Sequence, residues 1–296
     1  MTRIESYSSL STLAECSERY RQRYVEGLEA PGISMPAHAG SAMHAALRVL
    51  YAEGWSYEPA RAALVAAWGD VRAPLGDKKA FLTLPFMEER LRLYMEEREA
   101  TPTILERSKV LADVAEAEHV FEWPNVAGEI VKVRVILDLA VEADGKTYVV
   151  DNKCTTGWVS SHWAMQFRIS NQMRMYAAYL QQERGISVAG AIINAIYIGE
   201  KALDASEAWK KRTSSPTSLV LIDFTQEQID DSRAWVQGLV AQRDAHTAAG
   251  AAIWPRNEKA CNSYAGCEYL DLCTAPSAMA RKARAMTNFK RRTRDA

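Results

Sequence analysis

The sequence has almost no net charge: 36 Lys and Arg stand against 37 Asp and Glu, a balance of -1. That excludes a protein that coats nucleic acid through bulk charge, so any contact with a polyanion has to come from local patches. Also missing is an apolar run long enough to cross a membrane. The opening MTRIESYSSL is polar where a secretory leader needs an apolar core. The expectation is a cytoplasmic protein that does not associate with membranes. Nor do the five cysteines contain a C-x-x-C pair, the usual signature of a zinc knuckle. In a cytoplasmic chain they are expected as thiols or metal ligands rather than disulphides. Internal repeats, low-complexity tracts and helicase motifs are absent as well. Coupling to an unwinding or recombination partner would therefore need a second protein.

What is present is ample material for a core, since 48% of the residues are hydrophobic. Residues 8 to 25 have helical spacing, with Leu13, Cys16, Tyr20 and Tyr24 near one face. A second helix is expected from about Gly40 to Ala52. Residues 57 to 107 have a helical pattern with breaks at Pro74, Pro85 and Pro102, suiting a helical insertion. From Ala115 the texture changes to strands. Glu118 to Trp123 ends at Pro124-Asn125, and Ile130 to Val141 alternates, with Val131, Val133, Val135, Leu137, Leu139 and Val141 on one face and Lys132, Arg134 and Asp138 on the other. Ala143-Asp144-Gly145-Lys146 is a tight hairpin turn, returning through Tyr148 to Lys153. A helix over 162–184, a strand over 189–198, a strand over 219–224 and a helix over 226–248 follow. This order predicts an α/β fold, a mixed central β-sheet flanked by helices. It divides into a single domain over 1–280, with the insertion at 57–107 and a cysteine cap at 254–275, and a basic tail over 281–296.

The hairpin sets Asp138 beside Asp151 and Lys153. Alternation puts Val149, Asp151 and Lys153 on one face and Tyr148, Val150 and Asn152 on the other. Two converging carboxylates repel unless a cation stands between them, and oxygen ligands of this kind suit Mg²⁺ or Mn²⁺. A lysine on the same face can position the attacking water and offset charge on a phosphate. Taken alone, D-x-K occurs so often by chance that a strand-end salt bridge is the better reading. Glu116 and Glu118, just upstream, read as a solvated strand edge.

The run Ile136-Leu137-Asp138, with Val149-Val150-Asp151-Asn152-Lys153 and Thr155-Thr156 after the hairpin, resembles the catalytic core of RecB-type PD-(D/E)XK nucleases. Gly40-Ser41-Ala42-Met43-His44 resembles their G-x-x-x-H motif, and Gln172-Met173-Arg174-Met175-Tyr176 their Q-x-x-x-Y motif. The resemblance runs from Cys16 to Cys273. It implies His44, Asp138 and Asp151 as metal ligands, with the backbone carbonyl of Asn152, and Lys153 as the catalytic lysine. Gln172 and Tyr176, four apart on one helix, would orient the lysine, the water or the phosphate. Two departures stand out: Cys154 intervenes before Thr155-Thr156, and Asn152 replaces a more usual apolar or aromatic residue. As bare residues, His44 also reads as a helix-core histidine, and Gln172 with Tyr176 as a polar pair on a buried helix.

Cys261, Cys267 and Cys273 are each separated by five residues, and Cys16 is the candidate fourth thiol. This one-plus-three arrangement is similar to the iron–sulphur branch of those nucleases, found in CRISPR adaptation and beside helicases, and implies a [4Fe–4S] cluster tying the first helix to the last segment. Zinc is the rival metal. Cys154 reads as a small residue beside the cleft. The tail carries Arg281, Lys282, Arg284, Lys290, Arg291, Arg292 and Arg294 with no acid between them, a candidate DNA-binding patch or a solvated tail. Together these features lead to an Mg²⁺- or Mn²⁺-dependent deoxyribonuclease, an exonuclease before an endonuclease, acting on single-stranded or free-ended duplex DNA in recombination, repair or phage DNA processing. Two other readings stay open. One is a catalytically inactive iron–sulphur DNA-binding accessory subunit; the other is a zinc-stapled protein-interaction module.

Overall fold

A computed structural model describes residues 4–32, 34–74, 77–111, 118–124, 128–157, 159–200, 217–250, 252–262 and 266–292. Arg294, Glu116 and the Lys201–Arg212 loop lie outside them. The chain forms two compact units, one from Met1–Gly32, Val120–Arg134 and Asp231–Ala296, the other from Ile33–His119 and Val135–Asp230.

The second unit holds the mixed α/β sheet that the alternation predicted. Its five strands run in the order β3 (Lys109–Val110), β6 (Leu139–Ala143), β7 (Lys146–Thr155), β8 (Val188–Tyr197) and β9 (Thr217–Asp223). β7 pairs antiparallel with β6 and parallel with β8, and β8 pairs antiparallel with β9. The hairpin between β6 and β7 turns at Asp144 and Gly145, with φ of 50° and 71°. Two successive left-handed residues are what a turn matched to strand twist requires, and Asp-Gly supplies them at low cost.

Each face of this sheet is covered. Leu139, Val141, Tyr148, Val150 and Ile192 form one apolar layer with Leu105. The helices α3 (Met35–Ala52), α4 (Tyr57–Trp68) and α5 (Leu84–Ala100) pack together around Met43, Leu47, Leu64, Leu91 and Tyr94, with Ile196, Ile198 and Cys154 joining them. α7 (Asn171–Arg184) lies against β7 and β8 and buries Met173, Met175, Ala177 and Leu180. A strand covered on both faces carries few charges unless they are paired, which makes Asp151 and Asn152 on β7 conspicuous.

The other unit is built from shorter pieces. β5 (Ile130–Ile136) lies between β1 (Ile4–Ser6) and β4 (Glu118–Pro124). α1 (Tyr7–Glu15) and α2 (Ser17–Tyr20) are joined at Cys16, and a π-helical turn, Arg21–Val25, continues α2. Then come β2 (Leu28–Glu29), α8 (Gln226–Ala248), α9 (Glu258–Cys261), α10 (Leu270–Cys273), α11 (Ala278–Asn288) and β10 (Lys290–Arg291), which pairs with β2. Two buried glutamates tie the chain's early and late segments together here. Glu18 accepts from the Trp254 backbone N–H at 2.7 Å and from Arg21 at 2.8 Å, and Glu5 accepts from Tyr20 Oη at 2.8 Å and pairs with Arg243.

Four sequence expectations change. The helix over 8–25 is interrupted at Cys16, which takes extended angles (φ -160°, ψ 112°). The alternating run 130–141 is two strands in different sheets, β5 and β6, parted at Leu137-Asp138. The helix over 162–184 is three pieces: α6 (Ser161–Met165), a 3-10 turn Gln166–Ile169, and α7. Pro85 opens α5 instead of breaking it, in the first turn where its missing N–H costs nothing. No described helix is long and apolar enough to cross a membrane.

Two glycines in this unit behave oppositely. A Cβ on Gly190 of β8 would meet the Ile222 carbonyl oxygen of β9 at 2.0 Å, whereas one on Gly40 of α3 would meet Cys154 Cβ at an ordinary 3.7 Å. Gly190→Ala should destabilise by about 1–3 kcal/mol, because two hydrogen-bonded strands must separate. Gly40→Ala should be neutral or stabilise by up to about 1 kcal/mol through helix propensity. Urea unfolding of the two variants checks the contrast.

Candidate functional site

The candidate site lies on the α7-facing side of β7 and rests on alternation. Asp151 and Lys153 occupy one face, and Asn152 between them occupies the other. Asp138, in the bend just before β6, is pinned to β7: its Oδ2 accepts the Asn152 backbone N–H at 2.6 Å. His44, from the middle of α3, brings Nδ1 to 3.4 Å from the same oxygen. Lys153 Nζ stands 2.6 Å from Asp151 Oδ2, an ion pair whose angles leave that buried oxygen without a hydrogen bond.

α7 contributes the polar pair. Gln172 Oε1 accepts from Lys153 Nζ at 3.3 Å, while its Nε2 donates to Asp151 Oδ1 at 3.3 Å and to Tyr176 Oη at 2.8 Å. One amide therefore touches the lysine, the carboxylate and the phenol. The four-residue spacing puts Gln172 and Tyr176 on the same side of the helix, so the bond between them needs no distortion.

The two carboxylates titrate apart. Burial, reinforced by the Asp138 charge, pushes Asp151 up to about 6 despite Lys153. Burial acts on Asp138 too, but His44 and the Asn152 N–H outweigh it and hold that carboxyl below its ordinary value. For His44, burial opposes the charged ring, yet Asp138 outweighs it and raises the imidazole. Cys154, packed beside α3 at Gly40, is pushed up to about 12 by burial and is a neutral thiol.

Among the described residues no three of His, Cys, Asp and Glu gather closely enough to hold a metal ion. Asp151 is paired with Lys153, and Asp138 with His44. The donor chemistry still suits a divalent cation. Two buried carboxylates feel each other's charge, Asp138 raising Asp151, and both offer oxygen donors.

Behind β7 lies a set of residues that motif reading passes over. The Asn152 side chain accepts from Asn194 Nδ2 at 2.8 Å; that nitrogen also donates to Tyr94 Oη at 2.9 Å, and Arg98 donates to Asn194 Oδ1 at 2.9 Å. Arg90 reaches the Tyr197 carbonyl at 3.1 Å and Glu97 at 3.2 Å. Asn152 sits opposite Asn194 in the β7–β8 register. The signals were a lone Asn in the apolar run Ala191-Ile192-Ile193-Asn194-Ala195-Ile196, and Arg90, Tyr94 and Arg98 at four-residue steps on α5. Asn152 thus occupies the usual apolar position because its partners are polar.

The cysteines lie in the other unit. Cys16 is buried and Cys261, Cys267 and Cys273 are partly exposed. Burial pushes the Cys273 thiol up to about 11, with Cys16 and Cys267 adding to the rise, and burial with Cys261 raises Cys267. These influences link Cys273 with Cys16 and Cys267, and Cys267 with Cys261, but among the described residues the thiols do not gather closely enough to form a metal-holding group. The basic segment is folded: α11 carries Arg281, Lys282 and Arg284, and β10 carries Lys290 and Arg291. Arg281 donates to the Leu272 carbonyl at 3.2 Å, Arg284 pairs with Asp271 at 2.7 Å, Arg291 reaches the Glu26 carbonyl, and Arg292 lies over the Tyr24 ring at 5.4 Å. Lys282 and Lys290 are exposed. Glu118 is exposed at the start of β4.

A family model described as the PD-(D/E)XK nuclease superfamily matches residues 5–274. No curated protein matches the chain. Among solved structures, one likeness is to the "Putative exonuclease" from Eubacterium rectale, 12% identical with a TM-score of 0.51, covering 88% of this chain and 86% of that one. At that identity it speaks to the fold. A second is to SSO0001, 15% identical over 80% of this chain and 84% of that one; its TM-score of 0.32 carries no argument.

The buried charge of Asp151 has a measurable signature without metal. Its folded pKa of about 6 lies above the ordinary 3.8, so ionisation above pH 6 costs stability, and the cost vanishes once the carboxyl is protonated in both states, below about pH 4. In chelator, Asp151→Asn should therefore be more stable than the wild type at pH 8, by about 1–3 kcal/mol. The advantage should disappear on acidification to pH 4. Thermal melts across that range check it.

Proposed function

The chain belongs to the PD-(D/E)XK nuclease superfamily, and from that premise we propose that it is a divalent-metal-dependent deoxyribonuclease acting on DNA with free ends. The observation that carries the reading is the single hydrogen-bonded set of Asp151, Lys153, Gln172 and Tyr176, with Asp138 pinned beside it. The likeness to a protein named as an exonuclease is one of fold, and exonuclease over endonuclease action is part of the proposal that the digestion assay below tests.

In this reading His44, Asp138, Asp151 and the backbone carbonyl of Asn152 hold Mg²⁺ or Mn²⁺. A cation bound there supplies positive charge against the negative charge that develops on the phosphate. Asp151 binds it in the ionised form. Lys153, freed from part of its pairing, turns its ammonium toward a phosphate oxygen and steadies the approaching water. Gln172 limits where Lys153 can go, because its amide oxygen accepts from Nζ while its amide nitrogen stays tied to Tyr176. The inactive-accessory-subunit reading would be favoured by a degraded motif, and the sequence keeps His44, Asp138, Asp151, Lys153, Gln172 and Tyr176.

For the cysteines we infer a structural [4Fe–4S] staple through Cys16, Cys261, Cys267 and Cys273. Support comes from their mutual electrostatic influence and from the break at Cys16, which parts α1 from α2 at the thiol. For the basic segment we infer a DNA-holding role that falls mainly to Lys282 and Lys290, since several arginines there are spent on internal contacts.

Three measurements test these readings. Mn²⁺-dependent release of nucleotides from linear but not end-blocked DNA is expected, and Lys153→Ala should slow it on the order of 100- to 1000-fold while the variant stays folded at the assay temperature. Wild-type protein that leaves both substrates intact with Mg²⁺ and Mn²⁺ would sink the nuclease reading. Anaerobically purified protein should carry iron and acid-labile sulphide at about four each per chain, lost in Cys16→Ser; stoichiometric zinc instead would favour the zinc-stapled module. Charge reversal of Lys282 and Lys290 to Glu should flatten the salt dependence of DNA binding, with cleavage at saturating DNA unchanged. Reversal is preferable to truncation, because removing β10 would strip a strand from β2 and uncover Tyr269, which stacks on Phe289.

A further inference from the structure

Between β7 and α7, the two elements that carry the catalytic candidates, the chain makes a short excursion whose surface the cleavage chemistry does not explain. Thr155 ends β7 two residues after Lys153, and α7 opens one residue before Gln172. The excursion contains α6 and the 3-10 turn that follows. Ile169 and Met165 on it are 74% and 59% exposed, the two most exposed large apolar side chains among the described residues of this unit. Trp163 is partly exposed, and its ring meets buried Phe167 edge-on at 4.7 Å. The indole is thus fixed from one side. Backbone ties hold the excursion in place: Ser160 Oγ accepts the Trp163 N–H at 3.1 Å, and Arg174 of α7 donates to the Arg168 carbonyl at 3.1 Å.

Charge indicates what such a surface meets. Of 296 residues 37 are acidic, yet none falls from Asn152 to Gln182, a stretch with Lys153, Arg168 and Arg174. His162 and Arg168 are exposed beside the apolar side chains. An apolar and aromatic surface without acids, continuous in the chain with a phosphodiester site, suits a ligand that is anionic along its length and carries flat faces. Base–aromatic stacking with cationic side chains along the backbone is how unpaired strands are held without sequence preference.

We infer that Trp163, Met165 and Ile169, with Arg168, form a docking platform for unpaired nucleotides of the DNA strand leading to the candidate site. The platform rests on the nuclease reading and deepens it: the enzyme engages a single strand next to the bond it cuts, even when the substrate is a duplex end.

The test separates docking from chemistry. Binding of labelled oligothymidylate and of blunt duplex is followed by anisotropy in Ca²⁺, and turnover is followed in Mn²⁺ on thymidine 5′-p-nitrophenyl phosphate, too small to need a platform. Trp163→Ala should weaken oligothymidylate binding about tenfold, the scale of one lost stacking contact, and Ile169→Ser about threefold through lost apolar contact. Duplex binding should fall less, and small-diester turnover should match the wild type. Trp163→Phe should restore most of the affinity, because a flat ring remains. Should Trp163→Ala fail to fold, Ile169→Ser, at a largely solvated position, carries the test alone. Unchanged oligothymidylate affinity in the folded variants overturns the platform and leaves this surface to a protein partner. An equal loss on the small diester also overturns it, as a prop for the catalytic residues. If the wild type turns over neither the small diester nor linear DNA in Mn²⁺, the nuclease reading fails by itself, and the anisotropy arm still decides whether single strands dock here.

Discussion

Asp151 is a carboxylate placed where water scarcely reaches, on a strand covered on both faces, and much of the second unit is arranged around that fact. A buried charge of this kind survives only if partners compensate it. Lys153 supplies the opposite charge from two residues along the same strand, and Gln172 supplies a hydrogen bond from α7. Asp138 makes the situation worse for Asp151, and is itself accommodated by His44 and by the Asn152 N–H. The result is a short chain of charges, His44, Asp138, Asp151 and Lys153, with the two like charges in the middle.

The two sides of β7 divide their labour. The odd-numbered side carries the groups expected to touch the substrate. The even-numbered side, at Asn152, is locked to Asn194, Tyr94 and Arg98 in a fully buried network. A buried network of this kind resists sliding, because moving any member strands a donor or acceptor away from water. A one-residue slip of β7 against β8 would exchange the two sides and separate the two asparagines. The network thus opposes the error that would turn Asp151 away from α7.

Much of this was legible in the residues, and for physical reasons. The Asp144-Gly145 turn announces itself because few residues tolerate successive left-handed angles, and once the turn is placed, period-two alternation aligns Asp138 with Asp151. Gln172 and Tyr176 come from the resemblance to the Q-x-x-x-Y motif, and helical spacing explains why both reach the same side of α7. What was not legible depends on tertiary partners. Alternation through 130–141 is unbroken, so nothing local reports that the chain leaves one sheet at Ile136 and joins another at Leu139. No Gly or Pro marks the break at Cys16; the neighbouring turn is held instead by Glu18 bonding to Trp254, far along the chain. The basic run at 281–292 reads as a tail because its composition is polar, yet Tyr269, Leu28 and Phe289 give it an apolar seat.

The interleaving of the two units bears on how the chain is made. The unit with the carboxylate site draws on Ile33–His119 and Val135–Asp230, whereas the other needs residues from before, between and after those segments. During synthesis the first thirty-two residues emerge early and must wait, for the glutamates among them pair with Trp254 and Arg243. The β1–β5 pairing can form midway, but β2 receives its partner only when Lys290 and Arg291 appear. Contacts so distant in sequence form late and slowly. The half that holds Asp138 and Asp151 is complete in the chain by Asp230, whereas the half that holds Cys16 cannot close until the last three cysteines and β10 have been made.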